Sequence, residues 1–68
     1  MYIKSQDRKS IFKLETIEYK KEAAWHVIKV NGQKFGEYQN EELAMEEIQN
    51  VGAYLYERTN PHRIYELR

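Results

Sequence analysis

Ala24-Trp25-His26-Val27-Ile28-Lys29-Val30-Asn31-Gly32-Gln33-Lys34-Phe35-Gly36-Glu37-Tyr38 is the stretch whose reading decides the fold. Residues 24–30 are dense in β-branched and aromatic side chains and apolar on both faces, as a central strand must be. Asn31-Gly32 then interrupts the run. A two-residue type I′ turn needs positive φ at both central positions, which Asn and Gly tolerate best. Residues 33–38 are therefore predicted to return antiparallel to 24–30, with Gly36 marking a bulge. Trp25 lies in the most apolar strand, and a chain of 68 residues has little reason to leave its largest side chain unused, so it is predicted to be mostly packed.

Working outward, Phe12 and Leu14 alternate with Lys13, and Ile17 and Tyr19 flank Glu18, the period of half-buried strands. The alternation leaves open whether 11–20 is one bent strand or two. Tyr2-Ile3-Lys4 reads as a short first strand and Ser5 to Ser10 as a polar turn. Lys20 to Ala23 reads as a loop. On the far side, Asn40 is a good N-cap, and Glu41 and Glu42 follow it where the helix dipole favours acids. Val51, Ala44, Leu55 and Ile48 share one narrow stripe, edged by Gly52 and Met45, that should lie on the sheet. Gly52 there would let backbones approach closely. Leu43 and Tyr54 fall about 100° from the stripe centre, on one side, free for a neighbouring molecule. Pro61 requires the helix to end by Asn60, and Arg63 to Leu67 reads as a last short strand.

The expected architecture is a single α+β domain over residues 1–68. It has a mainly antiparallel sheet of four or five strands, one helix packed on a face and a short C-terminal strand. So small a chain buries only about 60% of its unfolded surface. With no cysteine, no disulfide can supplement that core, which raises the expectation of a partner subunit, most simply a homodimer through Leu43 and Tyr54. The absence of cysteine, of a long apolar run and of a signal-like opening leads to the expectation of a soluble cytoplasmic protein without membrane contact.

Chemistry is hard to find. No elbow motif surrounds Ser5, Ser10, Thr16 or Thr59, and Gly32, Gly36 and Gly52 stand singly, so no phosphate loop is present. His26 and His62 lie far apart, and Glu41, Glu42, Glu46 and Glu47 read as the solvated face of a helix. No catalytic residue, metal site or cofactor is expected, and the chain reads as a non-enzyme.

Charge is uneven. Residues 1–34 hold eight Lys or Arg against four acids, whereas residues 35–68 hold three against seven. The basic half is interleaved with Tyr2, Phe12, Tyr19 and Trp25, an arrangement that suits single-stranded nucleic acid. The formal net charge of +0 argues against that use.

The opening Met1-Tyr2-Ile3-Lys4-Ser5-Gln6-Asp7 resembles the start of a group of short uncharacterised proteins of Gram-positive bacteria and their prophages, which open Met-x-Ile-Arg-Ser-Gln-Asp. Phe35-Gly36-Glu37-Tyr38 and the acidic helix start Glu41-Glu42-Leu43-Ala44 extend the likeness. Tyr65-Glu66-Leu67 departs from the Tyr-x-Met-Pro at the end of many of them, and Lys4 replaces the arginine. The resemblance carries no catalytic residue and implies an accessory protein, of a mobile element or of the host.

Overall fold

In the computed structural model, which describes residues 1–56 and 63–68, Asn31 and Gly32 have φ of 52° and 82°, and Val30 faces Gln33 across them. The predicted hairpin is therefore present, joining β4 (Trp25–Val30) to β5 (Gln33–Tyr38). Between Ile28 and Lys29 the register slips, because Ile28 faces Gly36 while Lys29 faces Lys34. The extra residue is Phe35. Beside it, a Cβ on Gly36 would lie 3.0 Å from the Tyr38 ring, which folds back across the glycine. The bulge turns Phe35 into the core, 3% exposed and 4.9 Å from Phe12 by ring centroids.

The first stretch resolves into β1 (Tyr2–Lys4), β2 (Ile11–Lys13) and β3 (Ile17–Glu22), so residues 11–20 form two strands. What was expected to be a loop at Lys20–Ala23 is mostly strand. β3 runs to Glu22, and only Ala23 and Ala24 turn the chain, with Ala23 at φ 53°. The ladder to β4 and the Glu22–Lys29 ion pair at 3.1 Å carry the strand that far.

The class is α+β, with antiparallel pairing dominant and one helix on a sheet face. The described residues form six strands in two sheets, β2-β1-β6 and β3-β4-β5, where one sheet of four or five was expected. The last strand, β6 (Ile64–Glu66), pairs parallel to β1. Gln6 joins the sheets: its N–H donates to Phe35 O at 2.8 Å, and its side-chain amide pairs with both backbone groups of Glu37. The short loop before it is locked by Asp7, whose Oδ1 accepts from Ser5 Oγ at 2.6 Å and Lys9 N at 2.9 Å. Those bonds, the Ser5 hydroxyl first, hold the Asp7 carboxyl below its ordinary pKa.

Helix α1 (Glu41–Tyr56) starts as expected, with Asn40 Oδ1 accepting from Leu43 N at 2.8 Å. The expected stop at Asn60, before Pro61, lies outside the described residues. The buried stripe is rotated from the expected one. Ala44, Glu47 and Val51 are buried, Ile48 is half-buried, and Leu55 and Met45 are 46% and 38% exposed. The cause is the C-terminal segment, in which Tyr65 of β6 packs on the Glu47–Tyr54 flank of the helix and Leu67 joins the core.

Gly52 makes no close approach: a Cβ there would meet nothing within 4 Å. Gly52→Ala should therefore stabilise the domain by about 0.5–1 kcal/mol, since glycine in a helix interior costs that much relative to alanine. A raised denaturant midpoint checks this, and a lowered one would reveal a contact that the space around Gly52 does not show. Trp25 also departs from expectation. It is 44% exposed, because it begins β4 beside the Ala23-Ala24 turn at the end of the sheet, whereas Val27, two positions on and on the same face, is buried.

Candidate functional site

The most organised polar cluster is built around Glu47, only 4% exposed. Its Oε1 accepts from Tyr65 Oη at 2.8 Å and Asn50 Nδ2 at 3.1 Å, and its Oε2 accepts from the Arg68 backbone N at 2.7 Å. A helix carboxylate thereby clamps the C-terminal strand. Burial, then the bond to Glu47 and its charge, push the Tyr65 phenol up to about 12. Nearby, Tyr38 is 8% exposed, and its hydroxyl has no hydrogen-bond partner among the described residues. Burial first, then the charge of Glu47, raise the Tyr38 phenol far above its ordinary range. Tyr38 and Glu47 line a shallow cleft of about 280 Å³, whose rim carries Leu43, Glu46, Asn50 and Arg68. Both phenols stay protonated at neutral pH, and the carboxylate already has three donors. The cluster is arranged to hold β6 in place rather than to transfer a proton.

Glu47 was expected among the solvated acids, and the structure overturns that. Its position on the helix, about 70° from the expected stripe centre, gives no warning. Only the docking of β6 on that flank buries it. Glu41, Glu42 and Glu46 are exposed, as expected.

The residues marked for an interface separate. Leu43 is 47% exposed on the cleft rim. Tyr54 is half-buried within its own molecule, edge-on to Tyr65 at 5.1 Å, with the Arg63 guanidinium 4.1 Å from its ring and Arg63 Nε donating to its hydroxyl at 2.9 Å. His26 shares a hydrogen bond of 2.6 Å with Tyr19 Oη beneath α1. His62 lies outside the described residues. Among the described residues, no group of three or more His, Cys, Asp or Glu is placed to hold a metal, and no helix is long and apolar enough to cross a membrane.

The opposite flank of α1 carries Met45, Ile48 and Leu55 of the stripe expected to lie on the sheet. Met45, Leu55 and Tyr56 are exposed there, Tyr56 at 88%, with half-buried Ile48 beside them. This flank lies on the β3 side, since α1 packs on β3 as well as on β5 and its other flank meets Tyr38 of β5 and Tyr65 of β6. The signal was in the sequence: 45, 48, 52, 55 and 56 share one helix side.

A comparison of the chain with protein-family models, curated proteins and solved structures finds no match.

The aromatics interleaved with lysines do not form one surface. Phe12 packs on Phe35 and Tyr19 on His26, while Tyr2 and Trp25 are exposed on different sheets. Lys4, Lys29 and Lys34 are paired with Glu66, Glu22 and Glu37.

Proposed function

We propose that the chain is a small non-enzymatic accessory protein of the cytoplasm that works by binding protein, and first of all by assembling with itself as a homodimer. The observation that carries this reading is the exposed flank of α1. Isolated apolar side chains on a surface need no explanation. Here Met45, Leu55 and Tyr56 stand together on one helix side, with Ile48 half-buried between them. The modest core of a cysteine-free chain gains stability when such surface is covered. The likeness of the opening to proteins of Gram-positive bacteria and their prophages supports an accessory role, of a mobile element or of the host. The cysteine-free composition supports a cytoplasmic setting.

Light scattering at high micromolar concentration should return a mass above that of the monomer, with a melting temperature that rises with protein concentration. A monomer mass and a concentration-independent melt would overturn the reading. The alternative, a single-stranded nucleic-acid binder, finds its aromatics dispersed and three of its lysines ion-paired. Oligonucleotides should accordingly show no tight, salt-sensitive binding; finding such binding would favour the alternative.

A further inference from the structure

We propose that the self-association surface is the free edge of β3 together with the exposed flank of α1, and that its occupant is a second copy of this chain, pairing β3 with β3 across a two-fold axis. The inference rests on the self-association reading above and names the surface that performs it.

β3 is the outer strand of the β3-β4-β5 sheet and six residues long. The other edges are less open. β2 and β6 are three residues each, and Gln6 covers β5 by bonding both backbone groups of Glu37. Which β3 groups reach outward follows from the hairpin. Glu22 and Trp25 flank its two-residue turn, and at the other end Asn31 N donates to Thr16 O. Even-numbered residues therefore direct their peptide groups at β4, and Ile17, Tyr19 and Lys21 present theirs to the free edge.

An antiparallel second copy must then set odd residues opposite odd ones. One register places Tyr19 opposite its own counterpart, Ile17 opposite Lys21, and Glu18 opposite Lys20 on both sides of the axis. Sliding by two residues in one direction sets Lys20 against Lys20 and Glu18 against Glu22. Sliding in the other sets Glu18 against Glu18. Lysines on an edge strand ordinarily discourage pairing. Here Glu18 gives Lys20 an opposite charge in a single register, and like charges directly opposite reject the others.

The two-fold axis of that register stands perpendicular to the sheet. It makes one continuous six-stranded sheet with both helices on the same face. The flanks carrying Met45, Leu55 and Tyr56, which lie on the β3 side of each helix, then face one another across the axis. No charged side chain occurs from Ile48 to Tyr56, so these segments bring apolar surface together.

The test is a charge swap on exposed side chains, read by sedimentation with circular dichroism to follow the fold. Glu18→Lys and Lys20→Glu should each weaken the dimer by about tenfold, and the double variant should restore it, because like charges across an interface are repelled and the swap returns opposite ones. Lys21→Pro removes an outward N–H directed away from β4, the only neighbour of β3 among the described strands, so it should yield a folded monomer. Wild-type association with no response to these three variants would overturn the proposed interface while leaving self-association standing. A wild-type monomer at every concentration would overturn both.

Discussion

Glu47→Ala should remove about 3 kcal/mol or more of folding free energy, because hydrogen bonds to a charged group contribute roughly 1.5–3 kcal/mol each and three donors lose their acceptor together. Two of those donors, the Tyr65 hydroxyl and the Arg68 N–H, belong to the C-terminal segment, and the carboxylate itself is 4% exposed. The core of a domain this size supplies only about 3–5 kcal/mol, so the variant should be largely unfolded in mild denaturant. Glu47→Gln should fall between, since one oxygen still accepts while the new amide meets the Arg68 N–H donor to donor. Pairing Glu47→Met with Tyr65→Phe should recover part of the loss, because the phenol is no longer left unsatisfied. A Glu47→Ala midpoint equal to wild type would refute the clamp. High pH offers a check without mutation. The Tyr65 phenol is raised from 10.0 to about 12 in the folded chain. Above the lower value the unfolded state loses a proton that the folded state keeps. Stability should therefore decline as pH rises through that window and be intact below it.

What was legible in the sequence and what was not divides by the range of the interaction. Asn31-Gly32, the Asn40 cap and the alternation at Ile17 and Tyr19 act over a few residues, and each element appears where those signals place it. The motifs that carry the resemblance also prove to have local and architectural work. Ser5 and Asp7 tie their own turn, Gln6 bridges the sheets, and Gly36 leaves room for the Tyr38 ring. The hairpin that carries β3 through Lys20–Glu22 is a local departure, and the larger ones are long-range. The pairing of β6 with β1, more than sixty positions away in sequence, splits the strands into two sheets. The same strand rotates the buried stripe of α1 and buries Glu47. Trp25 departs for another reason, because strand propensity marks a residue as fit for a sheet without saying how far along the strand its face is covered.

Asn31→Gly should cost roughly 2 kcal/mol even though glycine suits the turn better than asparagine does, because three hydrogen bonds of about 0.5–1.5 kcal/mol each disappear. The side chain does more than permit a φ of 52°. Its Oδ1 accepts from Glu15 N at 2.9 Å and Thr16 N at 3.0 Å, and its Nδ2 donates to Lys13 O at 2.9 Å. Lys13 ends β2, and Glu15 and Thr16 belong to the connection from β2 to β3, where the chain leaves one sheet for the other. Glycine accepts the positive φ, so any loss in Asn31→Gly beyond the roughly 0.5–1 kcal/mol of glycine's backbone entropy reports the side-chain bonds. Gly32→Val tests the requirement by itself. Valine at a φ of 82° is strained whatever the space around it, and the space there is open. Both variants should lower the denaturant midpoint. An Asn31→Gly protein as stable as wild type would reduce Asn31 to a turn former, and the crossing between the sheets would then have to be held by the Phe12–Phe35 contact and the bonds of Gln6 instead.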